Sequence, residues 1–194
     1  MTPTNIILAT GNKHKIEEVQ AILGDAYLVQ GLKDLPPCPE VIEDAPTFEG
    51  NSAKKAVEVS LFFHCMALAD DSGLEVDALG GAPGVNSARY SGVHGDDNAN
   101  IEKLLRDMKE KTDRAARFVC AATVADNGTV LATFRGTLEG EIIEERRGSH
   151  GFGYDPVMFV PQYGKTVAEL SPEIKNGMSH RKKAFEKVAE FLKQ

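Results

Sequence analysis

Apolar positions in the first half of the chain alternate between two rhythms. Asn5 to Ala9 (N-I-I-L-A) is a short unbroken apolar run, the pattern of a buried strand. Ile16, Val19, Ile22 and Leu23 then recur at helical spacing, and Gly24 is placed to stop that helix. Ala26 to Gln30 reads as a second strand. Leu32 to Pro46 is a loop, because Pro36, Pro37, Pro39 and Pro46 break any period. Thr47 is placed to cap a helix running to about Phe63, with Phe48, Ala56, Val59 and Phe63 facing inward. Met66 to Ala69 is a further apolar run that ends in Asp70 and Asp71, with Ser72-Gly73 as an open turn. That reading puts two acids at a strand tip.

The second half is richer in strands. Asn98 to Lys111 predicts a helix with Ile101, Leu104, Leu105 and Met108 on one face. Arg117 to Ala125 and Thr129 to Arg135 flank Asp126-Asn127-Gly128, and an Asn-Gly turn between β-rich runs signals a hairpin. Thr137 to Glu145 adds another strand. Ser171-Pro172-Glu173 starts a helix that Lys175-Asn176-Gly177 interrupts, and Ser179 caps a last helix with Ala184, Phe185, Val188 and Leu192 inward. The expected fold is α/β, a mixed, elongated twisted sheet with flanking helices, in a single domain over residues 1–194.

Composition narrows the function classes. The net charge is −7 and the sequence pI about 5.3, which argues against a general nucleic-acid polymer binder, since such a protein needs a basic stripe. A small anionic ligand stays possible, because local lysines and a metal can invert the field. Cys38, Cys65 and Cys120 are odd in number and form no C-x-x-C, so neither a disulfide framework nor a zinc site is indicated and a cytoplasmic location is expected. The longest apolar run, Leu61 to Ala69, is too short to span a membrane.

Three stretches carry candidate chemistry. Thr10-Gly11-Asn12-Lys13-His14-Lys15 joins a strand to a helix N-terminus, an arrangement that aims backbone N–H groups at an anion; capping alone also explains Thr, Gly and Asn there. Asp70 and Asp71 suit a ligand site at the edge of an α/β sheet, and strand alternation lets only one of them face a given pocket; solvated acids are the plainer alternative. Gly148 to Pro156 (G-S-H-G-F-G-Y-D-P) sets Phe152 and Tyr154 between glycines, as rings that stack on a planar ligand or fold back onto the core.

T-G-N-K-H-K (Thr10 to Lys15), A-D-D-S-G-L-E-V-D-A-L-G-G-A-P-G (Ala69 to Gly84), S-A-R-Y-S-G (Ser87 to Gly92), G-F-G-Y-D-P (Gly151 to Pro156) and S-H-R (Ser179 to Arg181) occur in one order. Together they resemble the inosine/xanthosine triphosphate pyrophosphatase family over nearly the whole chain. The resemblance implies hydrolysis of ITP, dITP and XTP to the nucleoside monophosphate and pyrophosphate, with Mg²⁺ as cofactor. It also implies a homodimer whose active site lies in a cleft between two lobes. Position by position, it implies that Thr10, Gly11, Asn12, Lys13, His14 and Lys15 wrap the triphosphate. Asp71 becomes the metal-binding acid and proton acceptor, Glu43 a second metal-linked acid, Ser72 a substrate contact and Lys55 a phosphate contact. Phe152, Gly153, Tyr154 and Asp155 become the base-binding loop, and Lys175, His180 and Arg181 the remaining base and ribose contacts.

The departures lie in one region. Ile42-Glu43-Asp44-Ala45 stands where the family has two neighbouring Glu, and T-F-E-G-N-S-A-K-K-A has Gly50 in place of Glu. The chemistry needs little beyond these groups. Phosphoanhydride hydrolysis is mostly positioning and charge neutralisation. An Arg aimed at a purine's O6 and N7 would favour a keto base over adenine. Two other classes fit the same loops: a nucleotide sensor without turnover, and an enzyme for modified pyrimidine triphosphates.

Overall fold

The structure is a computed structural model, and it describes residues 2–194. β1 (Thr4–Leu8), α1 (Lys13–Leu23) and β2 (Tyr27–Gly31) form the opening strand–helix–strand unit. α2 (Phe48–Phe63) and β3 (Met66–Val76) follow, then α3 (Asp97–Asp107). β4 (Ala115–Asp126) and β5 (Thr129–Ile142) form the hairpin; β6 (Met158–Val160), β7 (Lys165–Thr166), α4 (Pro172–Met178) and α5 (His180–Phe191) complete the chain. The strands make one mixed sheet in the order β2-β1-β3-β4-β5-β6-β7. β1 is parallel to both β2 and β3, whereas β6 is antiparallel to β5 and β7.

Local chemistry sets the element ends. The Asn12 side chain accepts from the His14 and Lys15 N–H groups at 3.0 and 3.4 Å and so caps α1. Gly24 ends that helix at φ 72°, a conformation that favours glycine. Thr47 Oγ accepts from Gly50 N at 3.0 Å and caps α2. Asn127 and Gly128 both have positive φ, 46° and 81°, as a two-residue hairpin turn requires.

The chain divides into two compact units. The first comprises residues up to Asp71, Cys120–Gly136 and His180–Gln194; the second comprises Ser72–Val119 and Thr137–Ser179. The core of the first is built from Ile6 and Leu8 of β1, Val19 of α1, Leu68 of β3, Val124 of β4 and Phe185 of α5. Phe185 is completely buried, and trimming such a ring to Ala costs about 3–5 kcal/mol. The core of the second gathers Leu74, Val76, Leu104, Phe118, Ile142 and Met158. Among the described residues no helix is long and apolar enough to cross a membrane.

Three sequence expectations need correction here. β3 does not end at Ala69: it runs through both acids to Val76, because Leu74 and Val76 alternate into the core. Ser72-Gly73 is therefore strand and not an open turn. Thr129 to Arg135 and Thr137 to Glu145 are not two strands but one, β5, through Gly136. A Cβ at Gly136 would overlap the His180 carbonyl oxygen and the Ala184 nitrogen, so the glycine serves close packing of α5 and does not mark a break. Lys175-Asn176-Gly177 likewise lies inside α4, which continues to Met178 behind its Ser171 cap.

Candidate active site

Parallel neighbours end on the same side of a sheet, and here that side collects charge. β1 stops at Leu8, which pairs with Gly31 at the end of β2 and with Leu68 of β3. Just past those positions lie the Thr10–Lys15 turn, the short 3₁₀ turn Leu32–Asp34, and Asp70 with Asp71, where β3 outruns β1. The Leu32 N–H donates to Thr10 O at 2.9 Å, tying the first two exits together. A cavity of about 510 Å³ opens here, with Thr10, Gly11, Lys15, Lys55, Glu43 and Asp70 on its wall.

Asp70 and Asp71 point to different partners, as strand alternation requires. Asp70 is 3% exposed. Both its oxygens accept from Lys15 Nζ at 2.9 Å, and Arg181 Nε donates to it at 3.4 Å. Arg181 also donates from Nη1 to Glu18 Oε2 at 2.8 Å. Burial alone would raise the Asp70 carboxyl, but the Lys15 and Arg181 charges outweigh it and hold the acid far below the usual carboxylate range.

Asp71 has a different setting. Asn51, itself 1% exposed on α2, donates from Nδ2 to Asp71 Oδ2 at 3.1 Å and accepts the Ala45 N–H at Oδ1 at 2.9 Å. One amide thus fixes Asp71 to the 42–46 loop. Lys55 donates to Glu43 Oε2 at 2.8 Å and lies 4.0 Å from Asp71 Oδ1. Lys54 pairs with Asp44 at 2.8 Å, a second tie between that loop and α2. Gly50 belongs to the same seam: a Cβ there would lie 2.7 Å from the Ala45 Cβ, so a larger side chain would push the loop away. Burial raises the Asp71 carboxyl; Lys55 and Asn51 oppose the rise, while Glu43 and Asp70 add to it.

The second unit holds the glycine-rich loop. Phe152 is 65% exposed, and Lys175 Nζ sits 4.6 Å from its ring centroid. The Lys175 ammonium also donates to Asp155 Oδ2 at 2.5 Å, and the Phe152 N–H donates to the same oxygen at 3.0 Å. Gly153 N donates to Asp97 at 2.7 Å. Burial pushes Asp155 up against the pull of Lys175.

The remaining expected site residues are spread over both units. Lys13 and His14 are exposed on α1 beside Glu17, and Asn12 is occupied in capping; only Thr10, Gly11 and Lys15 of that turn line the cavity. The α1 N–H groups expected to face an anion are partly taken by that cap. Tyr154 is not a stacking face: it is 5% exposed in the core, and its hydroxyl donates to Ser87 O at 2.8 Å. Arg181, expected at a purine edge, is 6% exposed and engaged with Asp70 and Glu18. Ser72 follows Asp71 in β3, and His180, half-buried, opens α5. Asn51 was missed, although its place four residues after a helix cap and beside the acidic loop was readable.

No group of three or more His, Cys, Asp or Glu able to hold a metal occurs among the described residues. Two oxygen donors, Glu43 and Asp71, share one lysine. That is too few for a self-sufficient metal cage, yet it suits Mg²⁺, which takes one or two carboxylates and fills its octahedron with phosphate oxygens and water.

A mixed α/β sheet with lysines and acids at its parallel strand ends defines a class of phosphate-handling protein. The chain belongs to the Ham1 family, whose family model matches residues 6–191. It is 45% identical over 189 residues to the dITP/XTP pyrophosphatase of Shouchella clausii, covering 96% of each chain. It is 48% identical over 193 residues to that of Clostridium tetani, covering 97% of this chain and 96% of the relative. Among solved structures, the Ham1 protein of Staphylococcus aureus superposes with a TM-score of 0.92 at 42% identity and 98% coverage of both chains. A nucleoside-triphosphatase, dITP/XTP pyrophosphatase, from Mycobacterium abscessus gives 0.82 at 37% identity, with 98% of this chain and 100% of that one covered.

Proposed function

We propose that this chain hydrolyses the non-canonical purine nucleoside triphosphates ITP, dITP and XTP to the nucleoside monophosphate and pyrophosphate. One observation carries the reading: Asp71 stands beside Glu43 and Lys55 where parallel strands end at a lysine-lined cavity. The relatives' shared name, dITP/XTP pyrophosphatase, supports the substrate class.

The chain's own groups divide the work. Lys15 and Lys55 neutralise charge on the triphosphate and on the leaving pyrophosphate. Asp71 orients the attacking water and takes its proton. Both Asp70 oxygens are taken up by Lys15 and Arg181, so Asp71 is the better placed of the two acids for that task. Asp70 instead fixes Lys15. Phe152, with Lys175 and Asp155 behind it, offers an exposed ring and polar groups for the base. Asp71 and Glu43 would hold Mg²⁺, and the ion when bound would polarise a phosphoryl oxygen and acidify a water.

Residues 1–194 act as one catalytic unit, and the protein works as a homodimer in the cytoplasm. Pyrophosphate release across ITP, XTP, dUTP, GTP and ATP tests this reading. ITP and XTP should lead, and excess chelator should abolish turnover. A preference for dUTP, or no turnover of any substrate, defeats it. Light scattering should give twice the chain mass.

A further inference from the structure

Lys33 lies on the wall of the same cavity, and no sequence motif pointed to it. Its place follows from topology. β2 is parallel to β1, so the residues after Gly31 leave the sheet on the side where Thr10 and Gly11 leave it. The Leu32 N–H bond to Thr10 O then fixes the first residue of the turn. Lys33 lays its stem along the Gly11 backbone: a Cβ on Gly11 would lie 3.1 Å from Lys33 Cε, 3.6 Å from Cγ and 3.7 Å from Cδ. Glycine at position 11 leaves the room that this stem occupies.

The charges on the wall are unequally matched. Lys15 is held by Asp70 at 2.9 Å and Lys55 by Glu43 at 2.8 Å. Lys33 makes no ion pair among the described residues, although Glu40 shares the wall. The two paired lysines bring charge that their carboxylates already offset. Lys33 brings charge that no ion pair among the described residues offsets.

We propose that Lys33 is a phosphate-binding residue of this site, contacting the pyrophosphate portion of the bound triphosphate. This rests on the pyrophosphatase reading for its substrate but not for its test. Lys33 is exposed, and the phosphates it would meet are charged before the reaction as well as during it, so its contact is made in ground state and transition state alike and acts on KM more than on kcat.

The test is calorimetric titration of the full-length protein with inorganic pyrophosphate in magnesium buffer, alongside ITP kinetics. Lys33→Ala should weaken pyrophosphate binding about 10-fold and raise KM for ITP similarly, with kcat within about twofold. Lys33→Glu should weaken binding further, and Lys33→Arg should restore most of it. The difference between wild type and Lys33→Ala should shrink as salt rises. Unchanged pyrophosphate affinity in Lys33→Ala and Lys33→Glu overturns the proposal, as does a wild type that binds no pyrophosphate. Equal loss in Lys33→Arg and Lys33→Ala also overturns it. A wild type that binds pyrophosphate through Lys33 but hydrolyses no triphosphate overturns the catalytic reading alone.

Discussion

The strand-end region around Asp70 and the glycine-rich loop around Asp155 each bury a carboxylate under a lysine, yet the two acids shift in opposite directions. Asp70 has Lys15 on both oxygens and Arg181 beside them. Asp155 has Lys175 on one oxygen, shared with a backbone N–H. Burial raises both; Arg181, with a smaller pull from Lys55, adds to Lys15 and brings Asp70 down, while Lys175, opposed by Asp97, leaves Asp155 high. A strongly lowered pKa marks a group committed to holding its neighbours. A raised one marks a group that burial makes readier to take up a proton.

The largest expected effect tests that commitment. Asp70→Asn leaves Lys15 and Arg181 facing each other with their shared anion gone, and breaking a buried pair from one side costs about 3–5 kcal/mol. Urea unfolding should show that loss. A variant as stable as wild type would mean that solvent already screens the cluster.

Next comes Asp71→Asn. Here kcat should fall on the order of 10²-fold, with unfolding nearly unchanged, because the lost charge serves the transition state and not the fold. If both variants lose activity and stability in equal measure, the division between holding and reacting acids is wrong. Asn51→Ala ranks third. It strands the Ala45 N–H and releases Asp71 from its amide, at about 1–3 kcal/mol in unfolding. Its KM for ITP should move less than its kcat, since the amide positions a reacting group.

The two regions also differ in how far the sequence disclosed them. The Thr47 cap, the Gly24 stop and the Asn127-Gly128 turn were readable because each is a local bargain between one side chain or one φ and its nearest neighbours. The extent of β3 was not, since only packing of Leu74 and Val76 decides that two adjacent acids stay in a strand. The continuity of β5 through Gly136 was not readable either, because the helix that crowds that glycine lies more than forty residues on. Asp71, Glu43 and Lys55 were found through resemblance, and the structure brings them together. The burial of Arg181 and Tyr154 could not be read locally, because their partners Asp70, Glu18 and Ser87 are distant in sequence. Lys33 carries no motif at all; only the parallel pairing of β1 and β2 puts it on the cavity wall.

The smallest expected effect concerns the sign of a pH dependence. Asp155 has a folded pKa above its unfolded value, so between those two pH values the folded chain binds more protons than the unfolded one. Stability must then fall as pH rises through that window, because the unfolded chain releases its proton more readily. Asp70 is the reverse case: its contribution is complete above the unfolded carboxylate range and is lost as pH falls through its own low value. In metal-free buffer, unfolding free energies of wild type and Asp155→Asn should therefore differ in slope just above pH 4. The wild-type curve should rise less steeply there, and the variant should recover the missing rise. Lys175→Met should exaggerate the wild-type behaviour, since it removes the charge that pulls Asp155 down. Parallel curves for wild type and Asp155→Asn would mean that Lys175 fully offsets burial, and the contrast between one cation and two would no longer explain the two regions.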